Sequence, residues 1–295
     1  MAIVFSFTND NYIANKIASY LNLKRGNTTV RHFPDDESYV KLNTNVKNQD
    51  IILVTSLDHP DRKAMALLLF SEVAREYGAK SIGLIAPYLG YMRQDKRFHE
   101  GEAVSSKIFA KYLSLHFNWL LTVDPHLHRH KTLEEIYNIP TFIVHAAEAI
   151  AEWILENVDN PCMIGPDEES TPWITQIASI IDAPYFILEK IRRGDQSVTA
   201  SVYDIEKYLE YTPIILDDII STAQTMIETA HHLNAIGMKP PICLGVHPIF
   251  AANSYQTLLN APISRVVSCN TIFHASNAID VSSAILDTLK ENVKL

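Results

Sequence analysis

The chain of 295 residues is poor in several features that would each have fixed its class. It has no long apolar run. The longest, Ala64 to Phe70, falls far short of the roughly 20 residues that cross a bilayer, so no membrane partner is expected. Basic residues are the minority, 25 against 34 acidic, for a formal net charge of −9. That surplus disfavours a nucleic-acid binder held by phosphate attraction. Only 9 Gly and 14 Pro stand beside 47% hydrophobic residues, which excludes a low-complexity or disordered chain. Cysteine is scarce as well. Cys162, Cys243 and Cys269 lie in apolar runs without Cys-x-x-Cys spacing, as buried thiols of a cytoplasmic protein would. The opening Met1-Ala2-Ile3-Val4-Phe5 lacks a basic region and reads as a first strand, not a signal peptide.

What is present is a rhythm. Short apolar runs alternate with segments of helical period, the signature of βαβ units. Strands are expected over 2–7, 51–55, 81–86 and 119–123, then over 162–165, 185–188, 213–216, 242–246 and 265–268. Helices are expected near 12–21, 62–77, 104–115, 145–156, 173–180, 222–236 and 253–259. The length suits two α/β domains, divided as 1–145 and 146–295. In such parallel sheets, ligands sit at the carboxyl ends of the strands.

The most informative of those ends is Pro213-Ile-Ile-Leu-Asp217-Asp218-Ile-Ile-Ser221-Thr222-Ala223-Gln224-Thr225. A buried strand leads into two carboxylates, a hydroxyl-rich loop and a helix. Free backbone N–H groups and hydroxyls at a helix N-terminus cradle an anion, while the carboxylates accept from vicinal sugar hydroxyls. The same pattern also suits a helix cap with an acidic approach. The segment resembles the phosphate loop of the type I phosphoribosyltransferases and of the ribose-phosphate diphosphokinases (PRPP synthetases). Gln224 stands where that pattern has Gly.

Further motifs separate the two branches. Pro87 to Arg97 contains Arg93-Gln94-Asp95 and a cluster of cations, and is similar to the ATP-contacting stretch of PRPP synthetases. Phe33-Pro34-Asp35-Asp36-Glu37 resembles the family's Phe-x-Asp-Gly-Glu, with Asp36 in place of Gly; alone it is also good turn chemistry. Asp124-Pro125-His126 resembles the family's Asp-x-His. Pro166-Asp167-Glu168-Glu169-Ser170 occupies the place of a Pro-Asp-x-Gly-Gly loop, with Glu169 and Ser170 replacing the glycines. Leu188-Glu189-Lys190-Ile191-Arg192 resembles the start of the flexible catalytic loop.

The resemblance to PRPP synthetases implies an α/β fold of two tandem phosphoribosyltransferase-like domains, each a mostly parallel sheet flanked by helices. It implies transfer of the diphosphoryl group of ATP to ribose 5-phosphate with Mg²⁺ as cofactor. Phe33, Asp35, Glu37, Arg93, Gln94 and Asp95 would hold ATP, and His126 and Asp167 the metal. Lys190 and Arg192 would be catalytic. Arg192, Asp217, Asp218, Ser221, Thr222, Ala223, Gln224 and Thr225 would bind ribose 5-phosphate. An ATP site shared between subunits implies a homodimer or higher homo-oligomer. Two other readings stand beside it: a non-catalytic homologue that binds nucleotide, and a phosphoribosyltransferase that consumes PRPP.

Overall fold

The computed structural model describes residues 2–7, 11–193, 196–200 and 205–294; the side chains of residue 169 and of residues 189–206 lie outside it. The chain divides into two units, Met1–Val144 with Ser282–Leu295, and His145–Val281. The sequence places everything from 146 to 295 in the second unit, whereas Ser282–Leu295 belongs to the first.

The first unit is built on β1 (Ala2–Ser6), α1 (Asn11–Tyr20), β2 (Lys24–Arg25), β3 (Thr28–His32), β4 (Ser38–Leu42), β5 (Asp50–Val54), α2 (Pro60–Glu76), β6 (Ser81–Ala86), α3 (Ser105–His116), β7 (Trp119–Val123) and β8 (Thr141–Val144). Six strands form a parallel sheet in the order β2-β1-β5-β6-β7-β8. Alternate residues Ile3, Phe5, Ile51, Leu53, Ile82 and Leu84 join one core with Phe70 of α2 and Phe109 of α3. The intervening Val4, Ile52, Val54 and Ile85 are also buried. Burial on both faces is why these strands read as continuous apolar runs.

The second unit repeats the plan with α4 (Ala147–Asn157), β9 (Pro161–Gly165), α5 (Thr171–Ile181), β10 (Tyr185–Ile187), β11 (Glu189–Arg193), β12 (Gln196–Ala200), β13 (Thr212–Ile220), α6 (Gln224–Ala235), β14 (Ile242–Pro248), α7 (Ser254–Leu259), β15 (Arg265–Cys269) and β16 (Asn277–Ile279). Its sheet runs β10-β9-β13-β14-β15-β16. Counting only the strands of each large sheet, both orders are 2-1-3-4-5-6. In each unit an antiparallel hairpin, β3 with β4 or β11 with β12, follows the second strand. The duplication lies in the topology, which explains why no residue-level repeat is visible. The last helix, α8 (Ser282–Asn292), packs on α1, β7 and β8, with Lys290 Nζ 3.9 Å from the centre of the Tyr20 ring.

One boundary differs in a way that matters for the site. The sequence places the end of the strand at Leu216, yet β13 continues to Ile220. Asp217 pairs with Gly245 of β14, and Ile219 and Ile220 pair with His247 and Pro248. The two carboxylates therefore sit on a paired strand, with less freedom than a loop would give them.

Candidate active site

Strand order reverses between β9 and β13, the place where open α/β sheets bind ligands. Asp167 follows β9 and caps a short turn, its Oδ1 accepting from the Ser170 N–H at 3.2 Å. Ser170 is buried, and its hydroxyl donates to the Asp167 carbonyl at 2.6 Å. A serine that closes the turn on itself accounts for a position where the family pattern has Gly. On the neighbouring strand, Asp217 Oδ1 accepts from the Asp218 N–H at 2.9 Å. Burial, then the nearby charges of Asp218 and Asp167, push the Asp217 carboxyl up to about 8. Three carboxylates brought this close suit a hard divalent cation with oxygen ligands.

Beyond Ile220 the chain turns through Ser221, Thr222 and Ala223 into α6. Ala223 is the residue with left-handed backbone, φ 60°, so the helix starts at Gln224 and not at Thr222. The Gln224 side chain is exposed and donates to Glu228 Oε1 at 2.8 Å, lying along the helix away from the turn. The Ser221 carbonyl accepts from the Ala251 N–H at 3.0 Å and from the Ser254 hydroxyl at 2.7 Å. The loop after β14 thus straps the turn from outside, just before the start of α6.

In the first unit, Phe33, Asp35 and Glu37 occupy the tip of the β3–β4 hairpin. Asp36 takes φ 68°, the left-handed conformation that a Gly would supply. The Phe33 N–H donates to the Glu37 carbonyl at 2.8 Å and closes the turn. Arg31 lies 4.6 Å from the Phe33 ring centre and 4.2 Å from that of Tyr39. Between the tip and α2 a groove of about 990 Å³ is lined by His32, Asp35, Glu37, Asp61 and Arg62 among others.

The remaining predicted residues follow β6 and β7, which pair in parallel. Arg93 is exposed. Gln94 Oε1 accepts from the Ser105 hydroxyl at 2.6 Å, which fastens the loop to the start of α3. Asp95 is buried and accepts from Arg129 Nη1 at 2.7 Å. Asp124, just past the end of β7, has φ 35° and donates its N–H to the Val144 carbonyl at 2.9 Å. His126 Nδ1 and His128 Nε2 are 2.9 Å apart. Lys190 and Arg192 lie on β11, paired with Thr199 and Ser197; their side chains lie outside the described residues. Arg129 and His128 carry no family motif and were not among the expected site residues. The alternation of histidines was the one available sign for His128.

A parallel sheet with acidic groups at its switch point and a hydroxyl-bearing turn into a helix N-terminus defines a phosphoribosyltransferase-type α/β protein. Residues 2–115 match the N-terminal domain of ribose phosphate pyrophosphokinase, and residues 132–283 match the phosphoribosyl transferase domain. A ribose-phosphate pyrophosphokinase from Methanobrevibacter smithii is 30% identical over 292 residues, 95% of this chain and 97% of its own. One from Sulfolobus acidocaldarius is 31% identical over 292 residues, 96% of this chain and 98% of its own. The chain belongs to the ribose-phosphate pyrophosphokinase family. Its fold is shared with the phosphoribosylpyrophosphate synthetase of Mycobacterium smegmatis, at a TM-score of 0.85 over 98% of this chain and 97% of that one, with 20% identity. No described helix is long and apolar enough to cross a membrane.

Proposed function

We propose that the chain transfers the diphosphoryl group of ATP to the anomeric hydroxyl of ribose 5-phosphate, giving 5-phosphoribosyl 1-diphosphate and AMP. The observation that carries this reading is the run from Asp217 and Asp218 through Ser221 and Thr222 into α6. It sets sugar-hydroxyl acceptors and a phosphate cradle a few residues apart, as a ribose bearing a 5-phosphate requires.

In the reaction the anomeric oxygen attacks the β-phosphorus of ATP. The bond from that phosphorus to the α-phosphate oxygen breaks, AMP departs with it, and the hydroxyl proton is lost. Ser221, Thr222, Thr225 and the amides of Ala223 and Gln224 hold the 5-phosphate. Asp217 and Asp218 accept from the ribose hydroxyls and fix the angle of attack, a contribution of positioning. Arg93 and Gln94 hold ATP on one chain, and Phe33, Asp35 and Glu37 reach it from a second copy. Lys190 and Arg192 offset charge that builds on the transferred group. Mg²⁺, when bound, neutralises phosphate charge and orients the β-phosphorus. Asp167, with Asp217 and Asp218 near it, would supply oxygen donors for a metal in the second unit, and His126 is the candidate metal ligand of the first unit.

The test is direct: purified chain, ATP, Mg²⁺ and ribose 5-phosphate, with both products followed. AMP and 5-phosphoribosyl 1-diphosphate should appear in equal amounts. Nucleotide binding without AMP formation, at protein well above catalytic amounts, would sink the enzyme reading.

A further inference from the structure

The loops after β6 and β7 are joined by an ion pair that no motif marks. The Asp95 side chain is 2% exposed and that of Arg129 44%, with Nη1 and Oδ1 2.7 Å apart. The acid is enclosed and the guanidinium reaches from it to the surface. Among the described residues, Asp95 Oδ2 is buried without a partner, and Nη1 is the only guanidinium nitrogen engaged. A fork of donors held at one tine leaves the others turned outward.

The surroundings of Arg129 are cationic. Its guanidinium lies 5.7 Å from the centre of the Phe98 ring, and Lys96 Nζ lies 5.1 Å from the same ring. Phe98 is 51% exposed. Its position is set by Glu102, whose carboxylate accepts the N–H groups of Phe98 and His99 at 2.8 and 3.0 Å. Lys96 and Arg129 bring two cations to one exposed ring, beside the carboxylates of Glu102 and Asp95. A polyphosphate, with its high negative charge, is attracted to both cations. The location, at the carboxyl ends of two adjacent parallel strands, is where such a sheet takes a ligand.

We propose that Arg129 binds the polyphosphate of the nucleotide, and that Asp95 is a positioning residue that acts through Arg129. The inference rests on the ATP-dependent reading given above. It changes the part assigned to Asp95: an enclosed carboxylate does not reach a ligand, and its charge beside phosphate would repel. Its use is to fix the guanidinium plane, whose donors match phosphate oxygens in pairs. The discrimination expected is between nucleotides with a polyphosphate and AMP, which offers one phosphate group.

Calorimetric titration of the full chain with ATP and with AMP in Mg²⁺ buffer tests this. Arg129→Gln should weaken ATP roughly 10- to 100-fold, the worth of charge-assisted hydrogen bonds, and AMP by less than about twofold. Arg129→Lys should fall between, since it keeps the charge and loses the fork. It carries the test if Arg129→Gln does not fold, with AMP binding as the check on folding. Asp95→Asn should weaken ATP by about threefold or more, and the double variant should match Arg129→Gln alone. Equal losses for ATP and AMP, or additive losses in the double variant, would mean a merely structural pair. Unchanged ATP affinity in Arg129→Gln, with wild-type turnover intact, overturns the inference alone. Absence of ATP binding by the wild-type chain removes the functional reading and this inference with it.

Discussion

Asp217 accepts the backbone N–H of Asp218 at 2.9 Å, and yet its carboxyl is driven up to about 8 by burial and by the charges of Asp218 and Asp167. One helpful hydrogen bond is outweighed by desolvation and like charge. An ionised Asp217 is therefore costly in this fold, and a bound cation would offset that cost.

A stability prediction follows from the sign of that shift. In the unfolded chain this carboxyl ionises near its ordinary value, about 3.9. As pH rises from there, the unfolded state gains by ionising while the folded state keeps its proton, so stability falls until about pH 8 and then levels. Asp217→Asn removes the penalty. Its thermal midpoint without ligand should exceed wild type at pH 7.5 by about 4 °C, for roughly 1–2 kcal/mol. The gain should vanish near pH 4, where both states of the wild type are protonated. Turnover should drop by orders of magnitude. Differential scanning calorimetry at the two pH values checks it, and a lower midpoint at pH 7.5 would count against the argument.

The same group predicts proton release on binding. A carboxyl that titrates at about 8 is mostly protonated at neutral pH, and Mg²⁺ with ribose 5-phosphate requires it ionised. Binding at pH 7 should release close to one proton, falling toward none above about pH 9. Affinity should therefore rise with pH up to about 8 and then level. Titration in buffers of different ionisation enthalpy measures the proton directly. Heats that do not depend on the buffer at pH 7 would contradict it.

Much of this site was legible in the sequence, and the gaps have physical causes. Asp167 and the turn into α6 follow strands buried on both faces, and Asp217 continues one; such strands announce themselves as apolar runs. The hairpins do not. β3 reads Thr-Thr-Val-Arg-His and is mostly exposed, so it carries no apolar signature. The affiliation of α8 with the first unit was invisible, because an amphipathic helix does not say which sheet it will cover. The motif at Asp95 suggests a nucleotide contact, and no pattern in the sequence reveals that Arg129, 34 residues on, pairs with it. The extension of β13 past Asp217 depends on Gly245 of the neighbouring strand, a long-range pairing.

Gln224 stands where the family pattern has Gly, which suggests a crowded phosphate. Its side chain instead runs to Glu228 at 2.8 Å. Gln224→Gly should therefore leave the KM for ribose 5-phosphate within about twofold, while losing roughly 1 kcal/mol of stability through helix propensity and the lost pair. Steady-state kinetics and urea melts read the two quantities separately. A clear fall in KM would show that the side chain does obstruct the phosphate.

Gly245 offers the sharpest test of how the sheet holds the phosphate turn. A Cβ there would lie 2.4 Å from Ile220 Cγ1 and 2.6 Å from Cδ1. Ile220 is buried, and its carbonyl accepts the Phe250 N–H at 2.9 Å, so it cannot swing out without moving the strap around Ser221. Overpacking of this kind costs about 1–3 kcal/mol. Gly245→Ala should pass that strain to the end of β13 and raise the KM for ribose 5-phosphate about tenfold or more, the equivalent of roughly 1.4 kcal/mol. ATP affinity should stay near wild type, because the loops proposed for the nucleotide belong to the first unit. Trimming the neighbour in Gly245→Ala/Ile220→Val should recover part of the loss. Equal damage to both substrates, with no recovery in the double variant, would mean that the strain spreads through the core and that β13 is not a rigid support for the phosphate turn.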